Sequence, residues 1–220
     1  MSVELATSNN LGSSRLAKAT PTRAAGLERL SNFTSTGLKL YTDGRNYDYG
    51  PEDRSNISAL SPWIRRRLIS EQEIIEKLFK TNSHGAADKY IQQVIWRTYF
   101  KGWLEQHPTV WNAYNEGVMS GLNEVSSDQS RARVYEKAIT GQTGIDCFDS
   151  WATELMEHAY LHNHARLWFA SIWIFTLKLP WELGANFFMK YLLDGDPASN
   201  TLSWRWVSGL HTKGKNYLAT

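Results

Sequence analysis

Apolar residues along this chain recur with helical spacing, and no segment alternates between apolar and polar residues in the way of a β-strand. Residues 70–79 and 85–107 have the clearest amphipathic patterns, and Ser70 followed by Glu73 makes a capping box at the start of the first. The sequence therefore predicts an all-α fold without internal repeats. We predict further helices over residues 26–40, 130–140, 146–159, 163–177, 181–193 and 199–208, with connections over residues 42–56 and 117–133.

The 220 residues carry a net charge of only +2 and a single cysteine, Cys147. This charge gives no global attraction to nucleic acid, and one thiol excludes a disulfide framework. We interpret the chain as cytoplasmic, with no secretory signal and no membrane span, because its longest apolar run covers only residues 167–177. Residues 1–25 are predicted to be a disordered tail or linker remnant, and residues 26–220 a single folded domain.

Three histidines, His158, His162 and His164, lie close enough in sequence to raise the question of a metal site. Ala159 stands where the H-E-x-x-H pattern of zinc enzymes requires glutamate, and no cysteine or obvious third ligand accompanies them. We therefore predict no metal, and we assign His162 and His164 a gating or hydrogen-bonding role. The chain also lacks a G-x-S-x-G nucleophile elbow, and its TGQTGID segment lacks the lysine of a phosphate-binding loop.

The last third of the chain concentrates side chains that suit a polar organic cofactor. An aromatic-rich helix precedes the segment LLDGDPASNTLSWRW, which holds Asp194, Asp196 and Asn200 together with two of the ten tryptophans. Asn163 and Arg166, three residues apart, share one face of that upstream helix. Carboxylates at a helix C-terminus oppose the helix dipole, so their presence indicates a specific gain, such as an ion pair between Arg166 and Asp194. This combination indicates a buried, redox-active ring cofactor.

Five segments in this order, SALSP, VIWRTYF, TGQTGID, HNHAR and DGDPASNTLSWRW, resemble the helical FAD-binding domain of the photolyase/cryptochrome family. The resemblance runs from about residue 27 to the C-terminus. It implies FAD held in a helical bowl, with its phosphates near the backbone amides that begin a short helix at Pro62. The cofactor-binding residues that it implies are Tyr41, Ile57, Ser58, Ala59, Leu60, Ser61, Tyr90, Arg97, Asn163, Arg166, Asp194, Gly195, Asp196 and Asn200.

The same resemblance implies light-driven electron transfer. Trp204 and Trp181 match the first two members of the family's tryptophan chain, whereas the third has no counterpart before TGQTG. Tyr135, Trp173 and Trp151 are the available substitutes. For DNA that carries a flipped pyrimidine photoproduct, the implied contact residues are Arg45, Gln93, Trp96, Asn163, His164 and Trp206.

Departures from the family pattern leave the function open. Gln93 stands where dimer-repairing members have a glutamate, so one expectation is a photolyase-like lyase for cyclobutane dimers or (6-4) photoproducts. The alternative is a cryptochrome-like photoreceptor that keeps FAD, repairs nothing and acts on a signalling partner. A helical binding unit without a cofactor is a third expectation, which the intact set of polar residues disfavours. The family's N-terminal α/β antenna domain and a C-terminal stretch are absent, so we expect either a short family member or an incomplete gene product.

Overall fold

The computed structural model describes residues 19–80 and 84–211, and in these ranges it is helical without a β-strand. The predicted all-α fold is confirmed. Most of the predicted tail, residues 1–18, lies outside the described residues. Across the described part of the chain, every helix is too short or too polar to cross a membrane. The elements are α1 (Arg23–Asn32), a π-turn (Phe33–Gly37), α2 (Leu38–Gly44), α3 (Ser61–Arg65), α4 (Glu71–Phe79), α5 (His84–Gln106), α6 (Pro108–Ser127), α7 (Gln129–Thr140), α8 (Asp146–His158), α9 (Asn163–Ser171), a second π-turn (Ile172–Thr176), α10 (Trp181–Tyr191) and α11 (Pro197–Val207).

The predicted helix over residues 26–40 is divided by the first π-turn, in which the Leu38 N–H donates to the Phe33 carbonyl. Gly37, the last residue of this turn, packs against the backbone of the following loop. A Cβ at this position would lie 2.8 Å from the carbonyl oxygen of Ser55. Glycine therefore permits a close approach that a regular helix with a side chain here would prevent.

The predicted connection over residues 117–133 is wrong, because α6 runs through it to Ser127 and α7 follows after one residue. Pro108 begins α6 at a position where its missing N–H costs nothing. Farther along, Gly121 packs so closely on α10 that a Cβ would lie 3.1 Å from Cγ of Leu183. Tertiary packing thus stabilises a helix whose glycines and serines favour a loop in isolation.

Two hydrophobic clusters share the core. The smaller cluster contains Leu38, Leu60 and Ile74 and is built from α1 to α5, whereas the larger one contains Phe148 and Phe169 and is built from α6 to α11. Helix α5 packs against α2 and α4 on one side and against α11 on the other. The two halves therefore meet along α5, and the cavity described below lies at that junction.

Candidate functional site

A cavity of about 640 Å³ opens where α5 meets α9, the α10–α11 turn and α11. Its volume lies within the range of cofactor and small-molecule sites, roughly 300–1,000 Å³. Phe100, Leu167 and Phe188 supply part of its apolar wall. The residues that were predicted from the sequence and also line the cavity are Gln93, Trp96, Asn163, Arg166, Asp194, Asp196, Asn200, Trp204 and Trp206.

The turn between α10 and α11 places two carboxylates at the cavity. The chain leaves α10 after Tyr191, and Gly195 adopts a left-handed conformation with φ of 46°. Asp196 then caps α11, accepting the Ser199 N–H at 3.0 Å, and Pro197 occupies the first turn. Asp196 therefore lies at the N-terminus of the next helix, where the dipole favours a negative charge.

Asp196 also binds basic side chains of α3 and α5. Its buried carboxylate accepts a hydrogen bond from Arg97 at 2.8 Å, and Arg65 and Lys101 each approach the same oxygen to 3.9 Å. Arg97 makes a second ion pair with Glu71 at 2.6 Å. Burial, followed by the charge of Arg97, lowers the pKa of Lys101. Three cations and two carboxylates thus form one ion-pair network beside the cavity, and of these five residues only Asp196 lines it.

The predicted ion pair between Arg166 and Asp194 is wrong, because the described residues contain no such pair. Instead, Nε of Arg166 donates to the Leu161 carbonyl at 2.7 Å, and the guanidinium lies over the Tyr160 ring, 5.2 Å from its centroid. Arg54 covers the same ring at 4.3 Å. Asp194 makes no hydrogen bond or ion pair with any described residue. The charges of Arg166 and Asp194 therefore both remain available to a ligand at the cavity wall.

An amide and a buried indole line the wall formed by α11. Nδ2 of Asn200 donates to the Ala185 carbonyl at 2.8 Å, which leaves the amide oxygen for the cavity. Trp204 is only 2% exposed, and its ring packs edge-on against Phe188 with centroids 5.1 Å apart. A Cβ on Gly184 would lie 2.3 Å from Cη2 of Trp204. Glycine at this position therefore lets the indole lie directly against α10.

The histidines at the start of α9 are held by hydrogen bonds. Nδ1 of His162 accepts the His164 N–H at 3.2 Å, so the opposite ring nitrogen carries the proton and donates to the Arg45 carbonyl at 3.1 Å. Burial lowers the pKa of His162, and burial followed by the charge of Arg45 lowers that of His164. Both rings are therefore neutral at physiological pH. Within the described ranges, no group of three or more His, Cys, Asp or Glu side chains could hold a metal ion.

Of the predicted cofactor-binding residues, Tyr41, Tyr90 and residues 57–61 do not line this cavity. Tyr41 and Tyr90 lie in the smaller core cluster with ring centroids 5.3 Å apart, and the Tyr90 hydroxyl donates to Oγ of Ser58 at 2.8 Å. Burial raises the pKa of Tyr41 to about 12 and also raises that of Tyr90. Residues 57–61 lead into the five-residue α3. Their roles, and that of Trp181, which also lies outside the cavity lining, stay predictions.

Some residues at or beside the cavity could not be identified from the sequence. Lys101 follows Arg97 by four positions, so helical spacing along α5 places it on the same face as that residue. His211, beyond the end of α11, also lines the cavity. No signal in the sequence connects it with α5 or α9.

Residues 90–219 match the family model described as the FAD binding domain of DNA photolyase, and this match covers more than half of the chain. The chain belongs to this family.

Relatives of this FAD-binding domain are longer proteins. The deoxyribodipyrimidine photo-lyase of Agrobacterium fabrum is 27% identical over 193 residues, which cover 86% of this chain and 39% of the relative. The crystal structure of a bacterial class III photolyase from Agrobacterium tumefaciens matches with a TM-score of 0.73 and 25% identity over 90% of this chain and 40% of the relative. A Synechocystis cryptochrome shares the fold, with a TM-score of 0.71 and 24% identity over 90% of this chain and 41% of that protein. The chain thus spans about two fifths of the length of these relatives.

FAD is the cofactor of this family's domain, and the cavity residues fit it. Arg166 and Asp194 have no charged partner among the described residues. The side-chain nitrogen of Asn200 donates to a backbone carbonyl, which leaves its amide oxygen for the ligand. Trp204 and the apolar wall provide aromatic and aliphatic surface beside these groups. A flat, polar ring system needs this combination of hydrogen-bonding and apolar contacts.

Proposed function

We propose that this FAD-binding domain performs light-driven electron transfer to a flipped pyrimidine photoproduct in DNA, as a photolyase-like lyase. The observation that carries the proposal is the composition of one cavity: uncommitted polar groups beside a buried indole, with two exposed indoles in the same lining. FAD, when bound, supplies absorption of blue and near-UV light and one-electron chemistry. The relatives that carry the photo-lyase name support the choice of substrate.

Toward the cofactor, the chain acts by binding and orientation. Arg166 is held in place by the Leu161 carbonyl and the Tyr160 ring, so its terminal nitrogens can donate to a ring acceptor with little loss of side-chain entropy. Asp194 and the Asn200 oxygen accept hydrogen bonds from ring N–H groups. Trp204, buried against α10, excludes water from this end of the cavity and serves as the nearest electron donor.

Toward DNA, the cavity lining offers surfaces for an extruded base. Trp96 is 52% exposed and Trp206 43% exposed, so both indoles can stack on a base that has left the duplex. Gln93 lies in the same lining and can hydrogen-bond a base edge. Arg45 and His164 would contact the backbone on the side of the cavity formed by α9.

A second function is favoured by one residue. Gln93 cannot supply the carboxylate that dimer-repairing members use, so a cryptochrome-like photoreceptor that keeps FAD without repairing DNA is the alternative. The two functions share the cofactor and the electron transfer but differ in what happens to a lesion. A repair assay therefore separates them.

The test uses the full chain loaded with FAD, oligonucleotides with a defined cyclobutane dimer or (6-4) photoproduct, and blue light. We expect reversal of one lesion, and we expect Trp96→Ala to lose roughly 1–3 kcal/mol of binding, or about fivefold to 150-fold in affinity. Trp168→Ala is the matched control, because Trp168 is 42% exposed but lies outside the cavity lining. Photoreduction without reversal of either lesion would support the photoreceptor instead. Equal losses in both variants would contradict the stacking role.

A further inference from the structure

The largest fully buried side chain of the described residues, Trp173, lies between the cavity and the protein surface. Its indole ring contacts the Trp204 ring edge-on, with centroids 6.2 Å apart and an interplanar angle of 84°. On another side, it contacts Tyr135 of α7 edge-on at 6.1 Å. Three redox-active rings therefore form a continuous series from the cavity wall to α7.

The local fold holds Trp173 in this position. The second π-turn carries it, the indole N–H donates to the Pro180 carbonyl at 2.9 Å, and Phe148 and Phe169 pack on it. Gly184 brings the two indoles together, because a Cβ there would lie 3.0 Å from Cε2 of Trp173 as well as against Trp204. The series is thus built into rigid core packing rather than formed by mobile surface rings.

Trp181, the residue that the family resemblance assigns to the second step, lies in a different ring series. Its ring contacts Tyr114 at 5.8 Å, and Tyr114 contacts Trp111 at 5.1 Å. Among the described aromatic rings, none of the contacts of Trp204 is with Trp181. Tunnelling rates fall steeply with distance, so the shorter ring-to-ring step from Trp204 leads to Trp173.

We propose that in this chain electrons reach the flavin cavity from Tyr135 through Trp173 and Trp204, bypassing Trp181. This inference rests on the proposed light-driven function. Trp151, another candidate from the sequence, makes no ring contact with a described residue. Tyr135 is half-buried and its hydroxyl has no hydrogen-bond partner in the described part of the chain, so the phenol can release a proton to solvent.

The steps balance as one-electron transfers. One electron leaves Trp204 for the photoexcited flavin, one leaves Trp173 for the oxidised Trp204, and one leaves Tyr135 for the oxidised Trp173. Tyr135 also gives its phenolic proton to water and is left as a neutral tyrosyl radical. A small-molecule thiol in solution later returns one electron and one proton to it. The net result is one electron gained by the flavin and one lost by the thiol.

The test is transient absorption after a light pulse on the FAD-loaded full chain, read as the spectrum and lifetime of the radical on the protein. We expect a tyrosyl radical in the parent, its loss in Tyr135→Phe, and a shorter-lived tryptophanyl radical in that variant. Tyr114→Phe is the matched control on the Trp181 branch, and it should keep the tyrosyl signal. Trp173→Phe should lose the signal as well, provided that it binds FAD like the parent.

Three outcomes decide against the route. Loss of the tyrosyl signal in Tyr114→Phe but not in Tyr135→Phe would overturn it in favour of the Trp181 branch. A parent that forms only tryptophanyl radicals would also overturn it, while leaving the proposed function intact. A parent that binds FAD yet gives no protein radical at all would refute both. If Trp173→Phe fails to fold, Tyr135→Phe alone decides whether the route is correct, because it removes only one hydroxyl group from a half-buried side chain.

Discussion

Replacing Gly184 with alanine tests the close packing that positions Trp204 at the cavity. A Cβ at this position of α10 would lie 2.3 Å from Cη2 and 2.5 Å from Cζ3 of Trp204, and 3.0 Å from Cε2 of Trp173. Both indoles are buried, at 2% and 0% exposure, so neither ring can rotate into solvent to relieve the contact. Overpacking of this kind costs about 1–3 kcal/mol.

Helix propensity offsets part of this overpacking cost, because alanine in a helix interior is more favourable than glycine by about 1 kcal/mol. Gly102→Ala is the matched control: it lies inside α5, and a Cβ there would have no atom within 4 Å. Since both variants gain the propensity term, the difference in their free energies of unfolding isolates the overpacking cost. We expect Gly184→Ala to be less stable than Gly102→Ala by about 1–3 kcal/mol.

The assay is urea unfolding of the FAD-free proteins, followed by measurement of FAD content after reconstitution. Because Trp204 lines the cavity, the shift that Gly184→Ala forces on it should also lower FAD content, whereas Gly102→Ala should leave it unchanged. Equal stability of the two variants, together with unchanged FAD binding, would refute the packing argument.

Three further substitutions address the charges around the cavity and at α4. Asp196→Ala removes the buried carboxylate that pairs with Arg97, and we expect a loss of about 1.5–3 kcal/mol in urea unfolding, because Arg97 loses one charged hydrogen bond and keeps its pair with Glu71. Asp194→Ala, which breaks no described ion pair, should change the unfolding free energy by less than about 1 kcal/mol while weakening FAD binding; similar losses in both variants would contradict the assignment. Hydrogen bonds from Arg23 and from the Ser70 cap lower the pKa of Glu73 from 4.5 to about 2. Because the pKa is lowered, the stabilisation of the fold by the ionised Glu73 is complete above about pH 4.5 and is lost as the pH falls toward 2. Glu73→Gln should therefore remove that part of the pH dependence when the free energy of unfolding is measured at a series of pH values.

Much of the helical architecture could be predicted from local signals. The capping box of Ser70 and Glu73 is present in the structure, and α5 ends within one residue of the predicted position. Residues 117–133 failed as a predicted connection because the packing of Gly121 against Leu183 is a tertiary effect that propensity does not contain. The two π-turns likewise depend on distant packing, as Gly37 against the Ser55 carbonyl illustrates.

The residues that line the candidate site could be predicted from the sequence more readily than the contacts that these residues make. Asn163, Arg166, Asp194 and Asn200 do meet at one cavity, as their sequence pattern implies. Their partners could not be inferred. Asp196 rather than Asp194 forms an ion pair, with Arg97, and Arg166 contacts the Leu161 carbonyl and the Tyr160 ring. Such choices depend on how α5 crosses α11, which periodicity along one helix does not encode.

FAD titration of the cofactor-free protein tests the central claim most directly, namely that the cavity wall formed by α9 and α11 binds the flavin. The parent should bind one FAD per chain with quenching of flavin fluorescence, and Arg166→Ala should weaken that binding about tenfold or more, since a hydrogen bond to a charged group contributes roughly 1.5–3 kcal/mol. Arg133→Ala, on the exposed surface of α7, serves as the control and should bind like the parent. A parent that binds no FAD, or an Arg166→Ala variant that binds it as tightly as Arg133→Ala does, would contradict the assignment of this cavity.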